Sequence, residues 1–428
     1  MTAQKHLKQF IRARMAKTGE SYAAARRQVI SQAPPTAEDT ATRCHRPGDV
    51  PAAVALRVLL AHQGVELTEA MLFGIAGGIG AGVFAFLYEK EDFASFFIAG
   101  RHQWQDDKAY LDAACNRLGV TAIVRESPTA RGAEKQLREL LNQAGPVIAW
   151  IDMGSLPHRA MPPVFSGSGY HVVTIYELSD TSALVGDLTD EPVEIPLAQL
   201  AEARGRIKKF KNRLLALGPA RPALDLPNLV RSGVRVCHHL LTTCKMKNFT
   251  LEAFRIWAER IYGGKAKDSW ERVFPPGHRL WRGLTSVYDF IEHYGTGGGL
   301  CRPMFGKFLT EAALVTSDQR FADLGKRYAQ LGKAWTSLAE AALPAHIPMF
   351  KKARELFTRR NELMFRGDSV DKLRATWEEL ESLQVQARER FPLDVGQCAE
   401  LRRGLKERIL GLYQSEEEAL RALGELVT

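Results

Sequence analysis

The residues of this sequence with the clearest chemical potential are His171, in Gly-Tyr-His-Val-Val-Thr-Ile, and Asp187, in Leu-Val-Gly-Asp. An imidazole can take a proton from a thiol or an amine, and a neighbouring carboxylate orients the ring and stabilises its protonated form. Such a pair works with a nucleophile, and a thiol is activated best at the N-terminus of a helix. We therefore predict His171 as a base and Asp187 as its orienting acid.

Two alternating segments place these residues on adjacent strands. Residues 170–176 and 182–186 alternate between apolar and polar side chains, and Ser179–Asp180 between them is typical of a turn, which predicts a hairpin. Other strands are expected over 120–124, 146–151 and 193–195, and helices over 49–64, 108–118 and 132–142, with one more that begins near Thr68 and runs into a glycine-rich segment. The pattern predicts an α+β half.

The second half of the chain is predicted to be all-helical. A basic run over 204–213 and a proline-bearing stretch over 218–227 mark the boundary, and helical periodicity continues beyond it to the C-terminus. The chain has 428 residues, enough for two to three domains, and 45% hydrophobic residues exclude wholesale disorder.

The net charge of +9, or 58 basic minus 49 acidic residues, is unevenly placed. Residues 1–34 hold seven basic side chains and one acid, which leaves the rest of the chain at +3, so we do not expect a nucleic-acid-binding body. We predict a basic helical arm over 1–34 and a linker over 35–42. The arm is either a solvated hairpin packed on the body or a docking element for an acidic partner or nucleic acid.

Cysteine usage and hydropathy favour a cytoplasmic protein. Six cysteines stand far apart in the sequence, and the basic, polar N-terminus does not resemble a signal peptide. The uncharged stretch over 70–88 is long enough to span a membrane, but it holds five glycines and acidic residues flank both of its ends. We therefore expect no membrane partner.

Two further motifs contain residues that could form a metal site or a nucleotide site, but both are weak indications. Cys237, His238, His239 and Cys244 are potential metal ligands, but adjacent helical residues point to different faces, so we expect no metal. The glycines over 295–299 follow a helix and lack the lysine of a phosphate-binding loop, which favours a turn with positive φ over a nucleotide site. No cofactor is expected.

Several segments together resemble a known family. RCHRPGDVPAAVALRVLLAHQGVELTEAMLFGIAGGIG, within 43–88, with GPVIAWIDMGSLPH and GYHVVTIYELSDTSALVGD, resembles the N-terminal domain of the butirosin biosynthesis protein H family. FIEHYGTGGGLCRPMFGKFLTEA, over 290–312, and Trp335 resemble the helical domain of unknown function that usually follows it. The resemblance implies a papain-like domain over 43–215, a helical domain over 228–428, and transfer of an acyl group from a carrier-protein thioester to an amine.

The resemblance assigns the catalytic residues incompletely. His171 and Asp187 match the family's histidine and acid, but alignment of HRPG and ALRVLL places Val50 and Pro51 where the family has a His-Cys pair. Cys44 is a candidate substitute, because the seven residues between it and Pro51 can span up to about 25 Å. The alternative is that Cys44 is an ordinary linker residue.

Two further features are compatible with a pocket for a small polar ligand. Asp152 precedes Leu156-Pro157-His158 and matches an acidic family loop, although an aspartate here also suits the cap of a turn. Around the glycines, the candidate ligand-binding residues are Glu292, Gly297, Gly298, Arg302 and Glu311. The charged ones can equally form pairs between helices.

Three hypotheses follow. The first is an acyltransferase that uses Cys44, or that uses His171 to activate the amine for direct attack on the thioester. The second is a pseudoenzyme that binds a small molecule, a carrier protein or another partner, the latter through residues 1–34. The third is a nucleic-acid-associated factor that depends on the arm.

Overall fold

A computed structural model describes residues 44–167, 169–219, 223–367 and 369–427, in which an antiparallel sheet and a two-stranded ribbon are followed by helices. The fold is α+β, as the sequence predicts. The arm predicted over 1–34 and the linker over 35–42 lie outside the described residues.

The sheet has six strands in the order β3-β8-β4-β5-β6-β7, and neighbouring strands are antiparallel. The strands are β3 (Ala122–Arg125), β4 (Val147–Asp152), β5 (Tyr170–Leu178), β6 (Ser182–Gly186), β7 (Val193–Pro196) and β8 (Leu214–Leu217). The predicted hairpin is β5 and β6. The sequence did not predict β8, which lies between β3 and β4 and pairs with both.

Helices cover both faces of this sheet. The helices of this half are α1 (Pro51–His62), α2 (Glu69–Ile75), α3 (Asp107–Leu118), α4 (Ala130–Ala144) and α5 (Leu197–Arg206), of which α1, α4 and α5 pack on the sheet. Trp150 and Val172 share a core with α1, whereas Ile151 and Val173 share one with α4 and α5. Because side chains alternate between the faces of a strand, His171 stands on the same face as Val173.

The ribbon pairs β1 (Ile79–Tyr88) with β2 (Phe93–Arg101) and corrects the predicted continuation of a helix into the glycine-rich segment. Helix α2 ends at Ile75, and Gly77 and Gly78 take positive φ, which reverses the chain. A Cβ on Gly80 would lie 2.2 Å from the Arg101 carbonyl oxygen, so glycine permits the close pairing. Among the residues that the structure describes, no helix is long and apolar enough to cross a membrane.

The second half of the chain is helical. Its helices are α6 (Leu226–Thr243), α7 (Glu252–Ile261), α8 (Trp270–Val273), α9 (His278–Glu292), α10 (Arg302–Thr316), α11 (Gln319–Ala342), α12 (Pro348–Arg366), α13 (Val370–Glu389) and α14 (Val395–Glu425). One large apolar core includes α1, the ribbon and most of these helices.

A buried ion pair joins the ribbon to the helices. The Arg302 Nε donates to Glu416 Oε1 at 2.6 Å, and both side chains are at most 2% exposed. Glu416 also accepts from the Trp335 indole at 2.7 Å. Arg302 Nη1 donates to the carbonyls of Gly80, Gly100 and Leu300. One side chain thus fixes both ribbon strands to α10 and α14.

We expect Arg302→Met to lower the free energy of unfolding by about 3–5 kcal/mol, because it leaves Glu416 charged, buried and unpaired. Adding Glu416→Gln removes that charge and keeps an acceptor for the Trp335 indole, so the double variant should recover part of the loss. Urea unfolding measures both. A loss under about 1 kcal/mol in the single variant would contradict this account.

Candidate functional site

The structure brings His171 and Asp187 together at one end of the sheet. His171 is the second residue of β5, and Asp187 directly follows β6. The His171 Nε2 lies 2.7 Å from Asp187 Oδ1, and the two side chains are 5% and 1% exposed. Hydrogen bonding to the carboxylate places the proton on Nε2, so Nδ1 is the atom that could accept a proton from a substrate.

Arg159, which no sequence pattern predicted as a site residue, contacts both members of this pair. Its Nε and Nη2 each donate to one Asp187 oxygen at 2.7 Å, and Nη2 lies 3.0 Å from the His171 Nε2. His158 adds a contact of 2.8 Å between its Nε2 and Asp187 Oδ2. The only sequence signal was the loop motif Leu-Pro-His-Arg, whose last residue looks like an ordinary surface cation.

The charges of this cluster disfavour a protonated histidine. Burial lowers the pKa of His171, and the Arg159 guanidinium lowers it further, while Asp187 opposes both effects. The pKa of Asp187 lies well below its usual value, because Arg159 and the two histidines outweigh its burial. In a catalytic triad the carboxylate stabilises the imidazolium; here Arg159 already neutralises that carboxylate.

The N-terminus of α1, where the family resemblance expects a nucleophile, is capped by a carboxylate. Glu69 Oε1 accepts from the backbone N–H groups of Asp49, at 3.0 Å, and Val50, at 2.8 Å. Burial raises the pKa of Glu69 to about 7, and the neighbouring Asp49 contributes to this rise. The first helical residue is Pro51, which has no side-chain nucleophile.

Cys44 lies near Tyr176, which is farther along β5 than His171. It is buried, and with burial it raises the pKa of the Tyr176 hydroxyl. The adjacent His45 contacts the Tyr176 hydroxyl at 3.0 Å and donates toward the Thr189 carbonyl at 2.8 Å. Tyr176 follows His171 by five residues, or about 16 Å along a strand. A catalytic role for Cys44 stays a prediction.

The cysteine within the glycine-rich block is a poor nucleophile. Cys301 is fully buried, and burial raises the pKa of its thiol to about 12. Because the thiolate is the reactive form, this environment suppresses its reactivity near neutral pH.

The Asp152 carboxylate binds the segment between β4 and β5. It is fully buried at the end of β4. Its carboxylate accepts from the Ser155 hydroxyl and from the backbone N–H groups of Gly167 and Gly169, at distances of 2.8, 2.8 and 3.1 Å. These bonds fix the segment that precedes His171.

The charged candidates around the glycine loop bind neighbouring parts of the protein. Glu292 Oε1 accepts from the Thr336 hydroxyl at 2.8 Å, and Glu311 accepts from the Thr68 hydroxyl at 2.5 Å. Arg302 lies in the core with Glu416. The structure therefore does not gather them into one ligand shell.

The glycines at 297 and 298 lie near the start of α1 and near α9. Both take positive φ. A Cβ on Gly297 would meet the Asp49 carboxylate at 2.7 Å, and one on Gly298 would lie 3.6 Å from Glu292. The loop thus closes over the α1 N-terminus. In the described part of the chain, no group of three or more His, Cys, Asp and Glu side chains could hold a metal ion.

Comparison with known proteins gives two consecutive family matches. Residues 52–188 match the family described as butirosin biosynthesis protein H, N-terminal. Residues 197–356 match a domain of unknown function (DUF4872). No curated protein matches the chain.

We expect Glu69→Gln to reduce the pH dependence of stability. Glu69 binds a proton more tightly in the folded state, with a pKa raised from 4.5 to about 7, so its contribution to the free energy of unfolding falls as pH rises through this window. The wild-type protein should lose on the order of 2 kcal/mol relative to the variant between pH 5 and pH 8.

Chemical unfolding at several pH values measures this difference. Glu66→Gln is the control, because Glu66 lies three residues before Glu69 and its side chain is 65% exposed. Parallel pH profiles for wild type and Glu69→Gln would contradict the assignment.

We expect Arg159→Met to raise the pKa of His171, because it removes a buried positive charge 3.0 Å from the ring. NMR titration of the His171 imidazole measures the change, with the exposed Arg131→Met as control. An unchanged His171 titration in a folded Arg159→Met protein would show that Arg159 does not govern its protonation.

Proposed function

Because the chain belongs to the butirosin biosynthesis protein H-like family, we propose that it binds a partner molecule without forming a covalent acyl-enzyme. The observation that carries this proposal is the bidentate contact of Arg159 with Asp187 beside His171. In this proposal Pro51 stands in the position of the family's cysteine, and the chain is a pseudoenzyme.

We propose that the α+β half is a papain-like domain. Three features support this: α1 packs on an antiparallel sheet, His171 stands near the start of β5, and Asp187 follows the adjacent strand. A papain-like domain carries its helix, histidine and acid on the same elements, and in this chain the histidine stands on the face of β5 that it shares with Val173, away from α1.

Covalent acyl transfer would need two charges that this site disfavours. A thiolate would have to form where the Glu69 carboxylate occupies the backbone donors of α1. The imidazolium that stabilises the thiolate would have to form beside the Arg159 guanidinium. The Arg159 guanidinium would repel the imidazolium, and the Glu69 carboxylate would repel the thiolate. Neither charge of the ion pair is therefore stabilised.

A second candidate is acyl transfer by direct attack of an amine on a carrier-protein thioester. The lowered pKa of His171 favours this candidate to the extent that it keeps the ring neutral and able to take the amine proton. His171 would take the amine proton at Nδ1 as the C–N bond forms, and would return it to the carrier thiolate that leaves when the C–S bond breaks, with no protein nucleophile. The imidazolium that results would lie beside the Arg159 guanidinium, which is why this candidate ranks second. Docking of an acidic carrier protein or other acidic partner by residues 1–34 is a further proposal; their seven basic side chains support it.

Incubation with an acyl N-acetylcysteamine thioester and with an acylated carrier protein should leave the mass of the intact protein unchanged. The expected result follows from the missing nucleophile at Pro51. Intact-protein mass spectrometry checks it, and Cys44→Ala is the matched control. An acyl adduct that disappears in Cys44→Ala would overturn the proposal.

The same incubation, with an amine added, separates the two candidates. Amide formation without an adduct, lost in His171→Asn and kept in Cys44→Ala, would establish direct attack. No amide formation by any variant supports the pseudoenzyme.

A further inference from the structure

A groove of about 930 Å³ lies beside the Asp187 cluster. Its walls are the loop over 154–163, the segment from β7 into α5, and helix α13. Pro157, Met161 and Trp377 contribute apolar surface. The volume is within the usual range for small-molecule sites. None of the catalytic or ligand-binding residues predicted from the sequence lines this groove.

The charged side chains along the groove are mostly acidic. Among the described residues, four carboxylates line it against one guanidinium, that of Arg374, which is paired with Asp371 at 2.7 Å. The carboxylates are those of Glu194, Glu202, Glu378 and Glu381. In the described part of the chain, the last three of these take part in no ion pair. Because like charges in a concave surface reinforce one another, the groove attracts cations.

His158 provides an independent observation on the groove wall. Its side chain is 6% exposed, and its Nε2 contacts Asp187, which places the ring proton on Nε2. The Nδ1 is buried and has no hydrogen-bond partner among the described residues. A buried acceptor without a donor destabilises the protein, because the water that it lost on folding is not replaced. Because His158 lines the groove, a ligand N–H group that enters there would satisfy this acceptor.

We propose that this groove binds a small organic polycation. Its ammonium groups pair with the glutamates of α13 and α5, one N–H donates to His158 Nδ1, and its methylene segments pack on Trp377. This inference rests on the proposed non-covalent role, to which it adds a place and a ligand class. No bond forms or breaks.

Isothermal titration of the full chain with spermidine tests the proposal. Glu378→Gln/Glu381→Gln removes two groove charges and should weaken binding by at least about tenfold, which corresponds to 1.4 kcal/mol. The matched control is Glu389→Gln/Glu425→Gln, which removes two exposed charges outside the groove and should bind like the wild type. Binding should weaken with salt.

Ring ¹⁵N shifts of His158 provide a second readout, because saturation with spermidine should move the Nδ1 resonance. Equal weakening in both double variants would indicate unspecific charge attraction and overturn the proposal. So would the absence of saturable binding, or an unchanged His158 spectrum at saturation. None of these outcomes bears on the acyl-enzyme measurement, so the two proposals fail separately.

Discussion

The buried ion pair between Arg159 and Asp187 determines both the chemistry and the shape of this end of the molecule. Removing a guanidinium and a carboxylate from water costs several kcal/mol for each ion, and only dense hydrogen bonding offsets that cost. Asp187 accepts from Arg159 twice, from both histidines and from the Leu188 backbone N–H. The Arg159 carbonyl accepts from the Trp377 indole at 3.2 Å. One residue therefore neutralises the acid and joins the sheet to α13.

The N-terminus of α1 is likewise occupied by a charged group of the protein itself. Helix N-termini stabilise anions through their unpaired N–H groups and the helix dipole, which is why thiolates and oxyanions are often found there. Here the anion is the Glu69 carboxylate, and the loop that holds Gly297 covers the same end of the helix. The proposed loss of covalent chemistry thus has two separate physical causes, one at each half of the expected thiolate–imidazolium pair.

Local patterns in the sequence predicted the hairpin that carries His171 and Asp187, because alternation and a turn are short-range signals. They did not predict the ribbon over 79–101, since its glycines are chosen for close backbone approach and weaken the strand pattern. Arg159 could not be distinguished from a surface arginine, because its burial depends on β6 and α13, which are distant in sequence. The groove was equally hidden, since its walls come from three separate segments.

The acidic groove is compatible with a chain of net charge +9, because six of those charges belong to residues 1–34. At physiological ionic strength the Debye length is about 8 Å, so the potential inside a groove depends on its own side chains. Asp187 contributes little to that potential, since Arg159 cancels its charge at contact distance. The attraction for a cation therefore comes from the exposed glutamates, and the buried cluster contributes one hydrogen-bond acceptor. Binding in the groove and the protonation of His171 are separable properties of one loop.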